Sequence, residues 1–362
     1  MNNDDILNHL RSIDDPQNGQ SIIDNRLVSD VEVGDNNISF KLGNNGWSPE
    51  AKTSVYAACM QVLQKAYGDD IDIHIHFVQI DPSNQANSAY PHIKNIIAVA
   101  SGKGGVGKST VSVNLALALR ALGAKVGLID ADLYGPSIPT MFGLQGQRPK
   151  MKDLHGTPKL LPLEKYGLSL ISIGFIVEPE QAIVLRGPRL GGIIKQFMND
   201  VIWPDLDYLI IDLPPGTGDI QLTLVQTVPL TGVVMVTTPQ EVAVADAIKA
   251  MNMFLLPQIN VPILGVVENM SWFTPKELPD NKYYLFGEGG GKSLATMSQS
   301  VLLGQIPLVQ GIREGGDSGA PVMVQNDDTL QTPWLATAGK LAEQVLIRNE
   351  KLPPSRKVEM NV

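Results

Sequence analysis

Length, composition and charge exclude several classes of protein before any motif is considered. The chain has 362 residues, enough for two or three domains with full cores. Its net charge of −9 and the lack of a basic run argue against a nucleic-acid binder. The single cysteine, Cys59, excludes an intramolecular disulfide. No run of apolar residues approaches the ~18 of a membrane span, and the polar start predicts no signal peptide, so we expect a cytoplasmic protein that does not bind membranes.

The first part of the chain, residues 1–80, predicts a small α+β domain. Ser48 is a good helix N-cap, and Pro49 suits the first helical position behind it. Residues 71–78 alternate between apolar and polar side chains, which is typical of a half-buried strand. The predicted elements of this domain are helices over 4–13 and 48–66 and strands over 27–33, 38–42 and 71–78.

Residues 81–94 are predicted to be a linker because they are mostly polar and aperiodic. From residue 95 onward, short apolar runs alternate with helical patterns. This order predicts an α/β domain over 95–350 with a mostly parallel sheet and helices on both faces. The predicted strands are 95–100, 125–129, 168–173, 207–211, 231–236, 262–267 and 301–305, and the helices include 108–122, 188–200, 218–228, 240–256 and 331–349. Residues 351–362 predict a loose tail.

A glycine-rich loop follows the first strand of the large domain and precedes its first helix. It fits the phosphate-loop pattern G-x-x-x-x-G-K-[ST]. Such a loop turns backbone N–H groups and a helix N-terminus toward one anion, while its lysine reaches the β- and γ-phosphates and its Ser hydroxyl holds Mg²⁺. The predicted nucleotide-binding residues of the loop are Gly102, Lys103, Gly104, Gly105, Val106, Gly107, Lys108, Ser109 and Thr110.

Three aspartates follow two other predicted strands. Asp130 and Asp132 come directly after the strand at 125–129, and Asp212 follows the strand at 207–211. Ligands bind at the carboxyl ends of strands in open α/β sheets. Carboxylates there can support a Mg²⁺ ion or orient the attacking water in nucleotide hydrolysis. A solvated acidic loop is the alternative for Asp130 and Asp132.

These motifs together resemble a known family. Lys103, a second lysine behind the first loop glycine, resembles the deviant phosphate loop of the MinD-like and ParA-like ATPases. Further segments narrow the resemblance to the Mrp-type iron–sulfur cluster carrier ATPases. They are residues 130–137, residues 212–219, Glu268-Asn269-Met270-Ser271, the glycines near residue 287 and residues 312–319. The resemblance covers residues 95–345, and residues 1–80 look like the small domain fused ahead of many members.

The resemblance implies a homodimeric Mg²⁺-dependent ATPase that serves iron–sulfur cluster assembly and delivers clusters to apo-proteins. Lys108 and Lys103 would neutralise the phosphates, with Lys103 reaching the partner subunit's nucleotide, and Asp132 would be the hydrolytic carboxylate. Ser109 would hold Mg²⁺, supported through water by Asp130 and Asp212. Asn269 would read the adenine edge, and Arg313 would contact the nucleotide or the partner subunit, with a surface charge as its alternative.

The sequence departs from this family where cluster ligands are concerned. The family places a C-x-x-C pair shortly after its Glu-Asn-Met segment, but residues 271–282 contain no cysteine. A common cluster needs four thiolates. Cys59 reads as a small buried residue of a helix, and His74 and His76 as a solvated strand face. Oxygen ligands from Glu277, Asp280 and Glu288 suit hard cations better than a cluster.

Two versions of the iron–sulfur role therefore stay open. Either unusual ligands or a partner hold the cluster, or the protein assists maturation without carrying one. A different class of function is a nucleotide-switched positioning protein of the MinD or ParA branch. That branch needs a basic amphipathic tail or a basic patch, whereas residues 340–351 have mixed charge.

Overall fold

The computed structural model describes most of the chain as two compact units, residues 1–85 and 86–362. The described residues are 3–16, 19, 21–25, 27–34, 37–44, 47–68, 71–78, 90, 92–132, 135–154, 157–176, 187–216 and 218–358.

The first unit is a three-stranded sheet with two helices. Strands β1 and β2 pair antiparallel, and β2 and β3 pair parallel. The Ser48 hydroxyl accepts a hydrogen bond from the Ala51 N–H, so the predicted N-cap is present. The element bounds are α1 Asn3–Leu10, β1 Val28–Val33, β2 Asn37–Gly43, α2 Pro49–Tyr67 and β3 Asp72–Val78. All five predicted elements are therefore confirmed.

The second unit is built on an eight-stranded sheet in the order β13-β12-β11-β4-β10-β5-β9-β8. Every neighbouring pair is parallel except β8 with β9, and β6 and β7 form a separate antiparallel hairpin. The strands are β4 Ile93–Ser101, β5 Val126–Asp130, β6 Met151–Leu154, β7 Thr157–Leu160, β8 Leu163–Lys165, β9 Leu168–Ser172, β10 Leu206–Asp212, β11 Gly232–Thr237, β12 Ile263–Phe273 and β13 Leu302–Leu308.

Helices cover both faces of this sheet. On the central strand β4, Ile96 and Ala98 belong to one core cluster, whereas Ile97 and Val99 belong to the other. Successive side chains of a strand point to opposite faces, so an apolar run is required where both faces are buried. The helices are α3 Lys108–Ala121, α4 Ile138–Met141, α5 Gly187–Asp200, α6 Asp219–Thr227, α7 Glu241–Leu255, α8 Gly290–Met297, α9 Gln310–Asp317 and α10 Asp328–Lys351. The predicted fold class is confirmed.

The linker and the tail, the two segments predicted to flank the large domain, both contain residues that pack against it. Within the predicted linker 81–94, Tyr90 is buried in the core of the large unit and β4 begins at Ile93; residues 81–89 lie outside the described residues. In the predicted loose tail, the Val358 N–H donates to the Val225 carbonyl at 3.0 Å, and Ser355 is buried. Ser355 and Val358 therefore differ from the prediction of a loose tail, because Val358 packs on the apolar core and its backbone pairs with α6.

The packed tail leads to a testable prediction. A chain that ends at Lys351 loses the backbone hydrogen bond to Val225 and the cover that Lys357 gives the Tyr90 ring at 5.5 Å. We expect its free energy of unfolding to fall by about 1–2 kcal/mol, since one net hydrogen bond and a modest apolar area are lost. Thermal unfolding measures the change. A chain that ends at Val358 is the matched control, and equal stability of the two truncated chains would contradict the packing.

Candidate functional site

The glycine-rich loop lies at the carboxyl edge of the sheet, between the end of β4 and the start of α3. Gly102 lies so close to the backbone of Asp246 and Ala247 on α7 that any Cβ would overlap it. Gly107 has a φ of 81°, in the left-handed region, and a Cβ there would meet the Asn269 side chain. Both positions therefore require glycine for steric reasons.

A cavity of about 530 Å³ opens beside this loop. The carboxyl ends of β4, β12 and β13 contribute to its wall, as do the loop after β5 and helix α9. The lining residues are Ser101, Lys103, Gly104, Gly105, Gly107, Lys108, Ser109, Thr110, Asp132, Ser137, Thr140, Met141, Pro215, Asn269, Met270, Pro307, Leu308, Val309, Ile312, Arg313, Gly316 and Asp317.

Lys108 is the buried cation at the base of this cavity. Its side chain is only 5% exposed, and its Nζ lies 2.7 Å from Asp212 Oδ1 and 3.6 Å from Asp132 Oδ2. Nζ also donates to the Ser109 hydroxyl at 3.3 Å. Residues more than one hundred positions apart therefore meet around a single positive charge.

Asp212 is fully buried and accepts hydrogen bonds on both carboxylate oxygens. Ser109 Oγ donates to Oδ2 at 2.6 Å, and Ser112 Oγ donates to Oδ1 at 2.7 Å. Together with Lys108, these donors satisfy a carboxylate that would otherwise be costly to bury. Ser112 was not predicted from the sequence. Ser112 lies four residues after Lys108, so the two side chains share one face of the helix, and this spacing could have indicated that Ser112 belongs to the site.

Asp130 lies opposite Asp212 in the register of β5 with β10. Its Oδ2 accepts from Ser172 Oγ at 2.9 Å and its Oδ1 from the Asp132 N–H at 3.1 Å. Complete burial, and next the Asp212 charge, raise the pKa of Asp130 to about 7, although Ser172 and the Asp132 N–H oppose the shift. Asp130 thus supports the Asp132 backbone directly, and its predicted role toward Mg²⁺ stays a prediction.

Three predicted residues lie on the cavity wall with defined contacts. Asn269 is buried, and its Nδ2 donates to the Val106 carbonyl at 2.9 Å, so its side chain braces the phosphate loop. Arg313 is 62% exposed and pairs with Asp317 at 2.8 Å and Glu314 at 3.0 Å. The Lys103 carbonyl accepts from Ser101 Oγ. The adenine, nucleotide and partner-subunit roles of these residues remain predictions.

Sequence reasoning missed the apolar part of the cavity wall. Pro307 and Leu308 end the last strand, β13, Val309 follows it, and Ile312 lies in the first turn of α9. A flat aromatic ligand prefers such an apolar surface. The signal was available, because the carboxyl end of every parallel strand reaches the same edge as the phosphate loop.

The candidate cluster ligands do not assemble into a site within the described residues. Cys59 is fully buried in α2 of the other unit, and burial raises the pKa of its thiol to about 12. Glu277 and Asp280 lie in the exposed segment that follows β12. Among the described residues, no group of three or more His, Cys, Asp or Glu side chains could hold a metal ion.

No described helix is long and apolar enough to cross a membrane.

A phosphate loop at the end of a central parallel strand, with Lys108 and Asp212 beside it, defines a phosphate-loop NTPase. A model of the NUBPL iron-transfer P-loop NTPase family matches residues 92–345. A model described as an iron–sulfur cluster assembly protein matches residues 3–44. The chain belongs to the NUBPL iron-transfer P-loop NTPase family.

Individual relatives support this assignment. An "Iron-sulfur cluster carrier protein" of Synechocystis sp. is 40% identical over 355 residues, 96% of this chain and 100% of the relative. A protein of the same name from Escherichia coli K12 is 48% identical over 262 residues, 72% of this chain and 69% of the relative. A nucleotide-binding protein of Archaeoglobus fulgidus, solved in complex with ADP, is 33% identical with a TM-score of 0.57, covering 76% of this chain and 99% of that one.

A more distant solved structure bears on the fold alone. The cell division ATPase MinD of Pyrococcus furiosus superposes with a TM-score of 0.51 at 20% identity, over 69% of this chain and 99% of that one.

The close approach of Gly102 to α7 predicts an effect on stability. In Gly102→Ala the added Cβ overlaps the Asp246 backbone, which cannot rotate away as a side chain could. We expect the free energy of unfolding of the nucleotide-free protein to fall by about 1–3 kcal/mol, as in other overpacked sites. Gly104→Ala is the matched control, since its Cβ would meet only Pro215 Cγ at 3.8 Å. Equal thermal stability of the two variants would show that the loop does not lie against α7.

The environment of Cys59 predicts an unreactive thiol. With a pKa of about 12, only about one thiol in ten thousand is ionised at pH 8, and the side chain is shielded as well. We expect the native protein to react with a disulfide reagent at least about tenfold more slowly than the same protein in denaturant. Rapid modification of the native chain at pH 8 would contradict the burial of Cys59.

Proposed function

We propose that the chain binds ATP with Mg²⁺ in this cavity and hydrolyses it. The observation that carries the proposal is the cluster of Lys108, Ser109 and Asp212 at the base of the phosphate loop. A lysine and a hydroxyl that share one buried carboxylate can exchange that carboxylate for phosphate oxygens and a hard cation. The phosphates would then compete with Asp212 for the Lys108 ammonium.

The oxygen-rich donor set suits magnesium. Mg²⁺ prefers oxygen ligands and keeps several of its waters, so one protein hydroxyl with carboxylates behind it is a suitable arrangement. Ser109 would bind the ion directly, and Asp212 and Asp130 would act through water. When bound, the ion would offset the negative charge of the phosphates.

Asp132 is the residue that we assign to the hydrolytic step. Its carboxylate lines the cavity and lies 3.6 Å from the Lys108 ammonium, at the phosphate end. A carboxylate in that place can orient a water for attack on the γ-phosphate and accept its proton. The Asp130 carboxylate helps to fix it, because it accepts a hydrogen bond from the Asp132 N–H.

The base would lie at the other end of the cavity. Pro307, Leu308, Val309 and Ile312 offer an apolar surface for a purine ring. The Asn269 amide has its Nδ2 on Val106, which leaves its carbonyl oxygen to accept from the amino group of adenine. An adenine nucleotide is therefore the base that these residues favour.

We further propose that two copies of the chain form a homodimer around the nucleotides. The supporting observation is that Lys103, Gly104 and Gly105 lie at an accessible rim of the cavity. Lys103 would extend from this rim to the partner subunit's phosphates, and Arg313 would contact the nucleotide or the partner.

The cellular role that we propose is ATP-dependent assembly of iron–sulfur clusters and their delivery to apo-proteins in the cytoplasm. The relatives from Synechocystis and Escherichia coli are named cluster carriers, and residues 3–44 of the first unit match a model of an iron–sulfur cluster assembly protein. The only thiol is buried and protonated. We therefore favour the version in which the thiolate ligands of the cluster come from a partner protein.

Hydrolysis tests the nucleotide part of this proposal. In Lys108→Ala we expect ATP turnover and ATP affinity both to fall at least about a hundredfold, because the charge beside the phosphates is lost. In Asp132→Ala we expect turnover to fall similarly while affinity stays within about threefold, since this carboxylate acts on the water. Lys195→Ala, an exposed lysine of α5, is the control. Wild-type turnover in either site variant would refute the assignments.

Anaerobic reconstitution tests the role in cluster assembly. With iron and sulfide but no partner, we expect the desalted chain to retain far less than one cluster per dimer, and Cys59→Ala to behave the same way. With an apo-ferredoxin present, we expect ATP to accelerate appearance of the ferredoxin's visible absorbance. A stoichiometric cluster on the chain alone would contradict the partner-ligand version, and no effect of ATP on the ferredoxin would contradict the assembly role.

A further inference from the structure

Gln221 in the first turn of α6 is buried, and the nucleotide chemistry described above does not use it. Its side chain is 1% exposed. Its Nε2 donates to the Pro214 carbonyl at 3.1 Å and to the Gly216 carbonyl at 2.9 Å. Both carbonyls belong to the loop that connects Asp212 to α6, so one amide group holds this loop from the helix side.

The orientation of the Gln221 amide follows from these contacts. Turning the amide over would place its oxygen against two carbonyl oxygens, which repel it, so the nitrogen must face the loop. The oxygen Oε1 is buried, and no described residue donates to it. The hydrogen bonds of this amide to described residues are therefore all made to the loop.

The loop that Gln221 holds lies directly against the phosphate site. Pro215 lines the cavity, and its Cγ lies 3.8 Å from where a Cβ on Gly104 would be. The Gly216 N–H donates to the Ser101 carbonyl at 2.9 Å, at the end of β4 where the phosphate loop begins. The loop is therefore fixed on one side by the central strand and on the other by Gln221.

We propose that Gln221 is a positioning residue for nucleotide hydrolysis. Its hydrogen bonds hold residues 213–216 in a constant position relative to the phosphate loop. Asp212 at one end of this segment and Pro215 at the cavity wall therefore stay in position during turnover. Small displacements of groups around a reacting phosphate cost rate rather than binding. Gln221 therefore sets the turnover number, and the affinity for nucleotide depends on it little. This inference rests on the proposed ATPase function.

Substitution of Gln221 tests the proposal in the full-length protein. Gln221→Glu removes both N–H donors: the ionised carboxylate repels both carbonyls, and a protonated one can donate to only one of them. Gln221→Met keeps the length and burial without a donor, and serves if the Glu variant does not fold. Gln226→Glu, an exposed glutamine of the same helix, makes the same chemical change as a matched control.

Three quantities are compared: kcat for ATP, the Kd for ATP, and the hydrogen-exchange rate of the Gly216 amide in the nucleotide-free protein. In the Gln221 variants we expect kcat to fall at least about tenfold and Gly216 exchange to rise at least about tenfold, with the Kd within about twofold. Gln226→Glu should match the wild type in all three.

The outcomes separate the possible failures. One outcome is that the Gln221 variants lose thermal stability while their kcat, measured well below their Tm, and their Gly216 exchange rate both match the wild type. In that case Gln221 is only structural and the proposal is wrong. An equal loss of affinity and turnover would also overturn it. If the wild type itself hydrolyses no ATP, the proposed function fails. Gly216 exchange would still report whether Gln221 holds the loop.

Discussion

The buried pair of Lys108 and Asp212 is the interaction on which the rest of the site depends. Both side chains are 5% exposed or less, and their charged atoms lie 2.7 Å apart. Removing one member of a buried pair costs about 3–5 kcal/mol, because the other charge is left without a partner. The pair forms only if β4 and β10 are neighbours in parallel register, since Lys108 follows one strand and Asp212 ends the other. Ser109 and Ser112 then complete the hydrogen bonds of the carboxylate.

This arrangement explains why the site is stable without a nucleotide and still able to accept one. Asp212 offsets the lysine charge in the free protein, where phosphate oxygens would offset it in the complex. Burial and the Asp212 charge raise the pKa of the neighbouring Asp130 to about 7. Asp130 can therefore be protonated near neutral pH, which reduces the negative charge that Asp130, Asp132 and Asp212 place around Lys108. Serine hydroxyls and a backbone N–H supply further hydrogen bonds to the Asp212 and Asp130 carboxylates.

The sequence predicted the fold class, the five elements of the first unit and the residues of the phosphate loop, because those features depend on local periodicity and fixed spacing. Asp132, two residues beyond one apolar strand, and Asp212, at the end of another, were also selected, and their roles stay predictions. Sequence reasoning missed Ser112, since a serine inside a helix is common. It also missed the apolar wall from Pro307 to Ile312, although parallel strands that all end at one edge predict it. The tail was predicted to be loose from its prolines, yet Val358 pairs with α6 through contacts distant in sequence.

The single cysteine links the site to the cellular role. Cys59 is buried in the unit that does not contain the cavity, so the chain combines a phosphate loop with no accessible thiolate among its described residues.

Calorimetric titration of ATP into the purified protein tests most directly whether the Lys108–Asp212 pair forms the base of a magnesium–nucleotide site. We expect one ATP to bind per chain, with an affinity that rises at least about tenfold when Mg²⁺ is added. No binding, or binding that is unchanged by Mg²⁺, would contradict this assignment.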